Sequence, residues 1–220
     1  MPPQHTWSSL AATMVERQLR QRGIDQPAVL DAMAAVPRHR FIPNIDPTRA
    51  YGDHALPIGA GQTISQPYMV ALMTELLRLD RPGRRILEIG CGSGYQAAIL
   101  AHMGAQVVTL ERHGPLAEAA RRLLAELGYA DRIQVIEADG TLGYPDAAPY
   151  HGIIVTAAAP HVPDTLKDQT ADGGRIVIPI GDRDEQQLMV YHRQADRWTT
   201  HPSVWCRFVP LIGAHAWPDQ

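Results

Sequence analysis

The 220-residue chain is 45% hydrophobic and 20% charged, ordinary usage for a globular protein with a sizeable core. Its formal net charge of −3 supplies no basic field for tracking phosphates, which argues against nucleic acid as a partner. Two cysteines make no disulfide framework, and ten scattered histidines show no metal-ligand spacing, so neither a secreted scaffold nor a metal centre is expected.

In chain order, residues 1–20 (MPPQHTWSSLAATMVERQLR) hold no long apolar run and resemble neither a secretory signal nor a membrane span. A reducing cytoplasm is the expected location. Leu10, Met14, Val15 and Leu19 repeat at helical spacing and Gly23 closes that helix. A second short helix is expected over 27–36 (PAVLDAMAAV), after which PRHRFIPNIDP breaks regular structure. Residues 50–67 read as loop. Residues 68–79 (YMVALMTELLRL) read as an amphipathic helix ending before DRPG, with Ser65 a good N-cap and Pro67 suited to the first turn.

From Arg85 the rhythm changes to strand alternating with helix. RILEIG, AQVVTLE, RIQVIEAD, HGIIVTAA and RIVIPIG read as short buried strands. SGYQAAILAHM and GPLAEAARRLLAELGY read as helices, and VPDTLKDQTADGG as a helix and turn. The end, QQLMVYHRQ and SVWCRFVPLIG, is strand-rich. This predicts a single α/β domain: an N-terminal helical segment and loop (1–67), a Rossmann-like core with a parallel sheet covered by helices on both faces (68–200), and a C-terminal substrate-side strand and tail (201–220).

Ligands in such sheets bind at the carboxyl ends of the strands. There the chain reads LEIGCGSGYQ, with Gly90, Gly92 and Gly94 allowing a tight turn and close approach to the backbone. A dinucleotide fingerprint wants its third glycine where Tyr95 stands. The pattern is E-x-G-x-G-x-G, and a carboxylate at Glu88 suits a cationic ligand without pyrophosphate, such as S-adenosylmethionine. The next strand ends at Glu111, placed to take both ribose hydroxyls. The one after ends at Asp139 and Gly140, where an adenine amino group can be read.

The motifs AVPRHRFIP, ALPIGAGQTISQPYMVALMTELL, ILEIGCGSGYQAAILA, VTLER, ADG, IIVTAAAP, GGRIVIPIG and RFVPLIG, in this order, resemble the protein-L-isoaspartate O-methyltransferase family over nearly the whole chain. The resemblance implies a class I methyltransferase fold. It implies transfer of a methyl group from S-adenosylmethionine, leaving S-adenosylhomocysteine, to L-isoaspartyl residues of damaged proteins or peptides. It assigns Ser65 to the active site and Thr63, Ile64, Ser65, Glu88, Gly90, Gly92, Glu111, Arg112, Asp139 and Gly140 to the cofactor. Phe208, Val209, Pro210 and Leu211 fall alongside the substrate peptide. A monomer is expected, with no nucleic acid, membrane or metal involved. An alternative within the fold is a methyltransferase dedicated to aspartate in one partner peptide. The chain departs from the family's usual pattern at Ala138, where GDG is the habit, and at Ala216, a common glycine position taken here to touch the substrate side.

Overall fold

A computed structural model describes residues 7–79 and 82–219. The first six residues and the Asp80–Arg81 part of the DRPG break lie outside the described residues. The N-terminal segment runs helical as α1 (Trp7–Met14), continues through a π turn (Val15–Leu19) and a 3₁₀ turn, and stops at Gly23 in the left-handed conformation. Ala11, Met14, Val15 and Leu19 face inward. Helix α2 (Pro27–Ala35) starts at a proline, and a 3₁₀ turn over Arg38–Phe41 and a one-turn α3 (Pro47–Ala50) follow.

The loop expected over 50–67 contains a hairpin instead, β1 (Leu56–Gly59) against β2 (Gln62–Ile64), with Leu56 opposite Ile64. Leu56, Ile58 and Ile64 are buried, so the period-2 signal was present but spread over two very short strands. Helix α4 (Pro67–Leu76) follows with Gln66, not Ser65, as N-cap. Ser65 therefore lies one residue outside the cap, and the expected capping role is corrected.

The core then alternates β3 (Arg85–Ile89), α5 (Tyr95–His102), β4 (Gln106–Glu111), α6 (Gly114–Glu126), β5 (Ile133–Glu137), β6 (Tyr150–Val155), α7 (Asp164–Asp168) and β7 (Thr170–Gly181). The expected TADGG turn is drawn into the start of β7. Strands β8 (Gln186–Gln194) and β9 (Arg197–Cys206) end the sheet, whose order is β5-β4-β3-β6-β7-β8-β9. The first five pair in parallel, whereas β8 and β9 are antiparallel, so the parallel core carries an antiparallel flank. Hairpin connections between β7, β8 and β9 leave no room for crossover helices, which parallel pairing needs.

Alternate strand residues feed two cores. Ile86, Val107, Ile154 and Val177 pack with the N-terminal helices, α4, α5 and α6. Leu87, Leu110, Ile153 and Ile176 pack under short α7, with Leu166, and under irregular segments. Both faces are covered, but unequally. The chain leaves β3 towards β4 and β5, then crosses to β6 on the other side of β3. The reversal opens a crevice at the carboxyl ends of β3 and β6.

Candidate active site

At that crevice the Gly90 and Cys91 amides donate to the Leu110 carbonyl (2.9 and 3.0 Å), closing the glycine loop over β4. Gly90 has φ +91°, and a Cβ there would lie 2.5 Å from Thr156 Oγ1, so no other residue fits. The Thr156 hydroxyl lies 2.6 Å from the Gly90 carbonyl oxygen and 3.0 Å from that of Ile89, fastening the loop to the end of β6.

Glu111 is only 5% exposed. Its Oε2 accepts from the Gly92 amide (2.8 Å) and its Oε1 from the His113 amide (2.9 Å). Each oxygen keeps a lone pair, enough for two hydroxyls. Glu88 is fully buried; its Oε2 accepts from the Thr109 hydroxyl at 2.5 Å, and its Oε1 has no partner. Burial pushes the Glu88 pKa up to about 8; the Thr109 hydrogen bond opposes the rise and nearby Glu111 adds to it.

The main cleft has about 770 Å³ of empty space, counting the part open to solvent, and is bordered by Gly90, Gly92, Glu111, Arg112 and Gly140. Hairpin residues Gly61–Thr63 form its roof, and Gln62 Nε2 approaches His113 Nε2 at 3.4 Å across it. Arg112 Nη2 meets both oxygens of Asp219 at 2.7 Å, bringing the tail to the rim. A second space, about 840 Å³ on the same measure, is bordered by Arg22, Ser65, Tyr68, Trp205, Phe208 and Val209. A narrow third space reaches Ile64, Ser65, Glu88, Gly90 and Gly92. Thr63 and Thr156 border all three. The Ser65 side chain makes no hydrogen bond to the described residues, and its backbone carbonyl accepts from Arg38.

These groups fit S-adenosylmethionine. The unpartnered Glu88 Oε1 suits an ammonium, and the paired lone pairs of Glu111 suit a ribose diol. Side chains at Gly90 and Gly140 would collide with Thr156 and Ile89, which leaves bare backbone facing the cleft.

The expected positions divide. Thr63, Gly90, Gly92, Glu111, Arg112 and Gly140 meet in the main cleft. Ile64 and Glu88 reach only the narrow space, and Ile64 is mainly a core residue. Asp139 borders neither cavity. Its Oδ1 accepts from the Thr141 amide and hydroxyl (2.9 and 2.7 Å) and its Oδ2 from the Ala214 amide (2.8 Å). Burial opposes ionisation of Asp139, but these hydrogen bonds outweigh it and hold its pKa below the usual value. The Ala216 turn packs there too: its amide donates to the Gly213 carbonyl beside the Ala214–Asp139 hydrogen bond.

The 208–211 stretch is not a strand. Val209 and Leu211 bond to Ala158, and the stretch forms the wall between the spaces: Phe208 and Val209 face the second, Val209, Pro210 and Leu211 the main cleft. Sequence reasoning missed Thr156 and Gln62. Thr156 ends the strand beside β3, so its signal was strand order, which the sequence does not state.

A model of the family "Protein-L-isoaspartate(D-aspartate) O-methyltransferase (PCMT)" matches residues 11–216. A protein-L-isoaspartate O-methyltransferase of Methanoregula boonei is 55% identical over 94% of this chain and 94% of its own. One of Herpetosiphon aurantiacus is 52% identical over 96% and 93%. Among solved structures, a putative protein-L-isoaspartate O-methyltransferase from Plasmodium falciparum, in complex with S-adenosyl-L-homocysteine, is similar with a TM-score of 0.79 and 26% identity over 92% of this chain and 98% of that one.

Proposed function

The chain belongs to the protein-L-isoaspartate(D-aspartate) O-methyltransferase family, and from that membership and the shape of its cleft we propose that it moves a methyl group from S-adenosylmethionine to the α-carboxylate of L-isoaspartyl residues in damaged proteins and peptides. The observation that carries the reading is the junction of the cleft bordered by Gly90, Gly92 and Glu111 with a second cavity at Thr63 and Thr156, beside the unengaged Ser65 hydroxyl.

S-adenosylmethionine supplies an electrophilic methyl group on a sulfonium. Glu111 would accept from the ribose hydroxyls, Glu88 would face the ammonium, Gly90 and Gly92 would let both close in, and Asp139 would hold the adenine end through Gly140. Ser65 donates to the substrate carboxylate and orients it. An α-carboxyl titrates at about 3.3–3.7, so the nucleophile is already ionised and no general base is required. The protein's work is alignment and exclusion of water, which together supply several kcal/mol. The nitrogen of the following backbone amide then attacks the ester carbonyl and closes a succinimide with loss of methanol, and hydrolysis of that ring returns some normal aspartate without the protein.

The chain is further read as a cytoplasmic monomer whose partners are damaged polypeptides. Its net charge of −3 supports no nucleic-acid role, and among the described residues no helix is long and apolar enough to cross a membrane. Paired peptides test the substrate. The isoaspartyl form should be methylated and the aspartyl form ignored, because the normal side chain holds its carboxylate one bond further from Cα. Equal methylation of both, or of the aspartyl peptide alone, would overturn the repair assignment.

A further inference from the structure

The PRHRF motif takes no part in the chemistry above, yet it carries the largest fully buried side chain among the described residues, Arg38, at 0% exposure. Arg38 Nε donates to the Ala50 carbonyl (2.8 Å) and Nη2 to the Ser65 carbonyl (2.7 Å). Its Nη1 is buried without an acceptor. The guanidinium carbon lies 5.0 Å from the Tyr95 ring centroid, and Phe41 of the same motif packs edge-on against that ring at 5.3 Å. The groups that act on its charge are Tyr95 and Tyr51; no carboxylate is among them. Burial lowers its pKa, but an arginine in a protein stays charged.

A buried cation without an anion is expensive, and an orphaned donor adds to the expense. Two neutral donors would serve the two carbonyls equally well. The Tyr95 face favours a cation there, but nothing in the fold alone accounts for the third arm of the fork, which finds no acceptor. The incoming substrate does. Its reacting group is an anion that must leave water beside Ser65. Arg38 does not itself border that cavity but reaches it through the Ser65 carbonyl; the cations that do border it lie on exposed carboxylates, Arg22 on Asp53 at 2.9 Å and Arg207 4.0 Å from Asp184.

We propose that Arg38 is a positioning residue for the methyl-accepting carboxylate: it clamps the Ser65 backbone so that the hydroxyl faces the cavity, and its uncompensated buried charge offsets the desolvation of the substrate anion. The proposal rests on the reading that the carboxylate docks at Ser65. Buried charge is little screened by salt, so the preference for an anion persists at high ionic strength.

The test measures binding of an isoaspartyl peptide and of its neutral isoasparaginyl counterpart to the complex with S-adenosylhomocysteine, whose uncharged sulfur contributes no attraction. The wild-type protein should favour the carboxylate at least tenfold, at low and high salt. Arg38→Gln, which keeps a donor and loses the charge, should bring the ratio near one and raise the peptide KM while S-adenosylhomocysteine affinity stays within twofold. Arg38→Lys should keep most of the ratio and lose kcat, because an ammonium cannot span both carbonyls. A wild-type ratio near one, a ratio unchanged in Arg38→Gln, or a parallel loss of cofactor affinity would overturn the proposal. Should Arg38→Gln fail to fold, the wild-type ratio and Arg38→Lys decide. Ser65→Ala in parallel separates the two readings: normal turnover there removes Ser65 from the reaction, whereas the charge ratio stands or falls with Arg38.

Discussion

Ser65 stands one residue ahead of the α4 N-cap and its hydroxyl bonds to nothing in the described fold. Ser65→Ala should leave the melting temperature nearly unchanged, where loss of a true cap would cost ~1 kcal/mol. Turnover should fall roughly ten- to a hundredfold, the ~1.5–3 kcal/mol of a hydrogen bond to a charged group. A melting scan and a methyl-transfer assay on one variant check both. Glu88 carries a pH dependence. Its folded pKa of about 8 lies above the ordinary 4.5, so the folded protein holds a proton that the unfolded chain has released. Stability therefore falls with rising pH across that window, by at most ~1.4 kcal/mol per unit, and levels off above it. Glu88→Gln should flatten this slope in denaturant unfolding between pH 5 and 8. A cationic ligand at Oε1 reverses the preference, so S-adenosylhomocysteine binding near pH 7 should release a proton, seen by calorimetry in buffers of different ionisation enthalpy. At this scale the sequence was legible where chemistry imposes a residue type, as at Glu111 and Gly90. It was silent on Thr156, an ordinary strand-end threonine until β6 is known to lie against β3.

The elements that line the two cavities around Thr63 and Val209 were harder to read than those of the core. Buried strands announce themselves by apolar runs, as in RILEI, whereas the β1–β2 hairpin has seven strand residues interrupted by a proline and glycines. The 208–211 stretch looked like strand because it is apolar, yet its bonds go to Ala158 and to a side chain. That side chain is Gln186 on β8, fully buried, whose Oε1 accepts from the Phe208 amide (2.9 Å) while its Nε2 donates to the Asp182 carbonyl (2.7 Å). Gln186→Leu leaves the Phe208 amide without its acceptor and should destabilise the protein by ~1–3 kcal/mol, measured by denaturant unfolding. Because Phe208 and Val209 border the second cavity, the peptide KM should rise with cofactor affinity little changed.

For the whole molecule, the alternation after Arg85 was enough for the fold class, since parallel strands need crossover helices; the antiparallel flank is a matter of hairpin length. One ligand tests the assembled cleft. At about a hundred times its dissociation constant, S-adenosylhomocysteine should stabilise the protein by ~2.7 kcal/mol, roughly 5–11 °C in melting temperature, and NAD should do nothing. Stabilisation by NAD alone would refute the cofactor reading. The wall of Thr63, Thr156 and Val209 between the two cavities has one more consequence. On the proposed reading, with the methyl donor in the first cleft and the polypeptide in the second, the two meet at these residues, and a reacting carboxyl is carried in on a segment free to leave its own fold. Such a gate samples the motion of its clients. Damage in a frayed loop is reached at once, and damage in a rigid helix waits for that helix to open. Across a set of aged proteins, methylation rates should therefore rank with amide hydrogen exchange at the damaged residue.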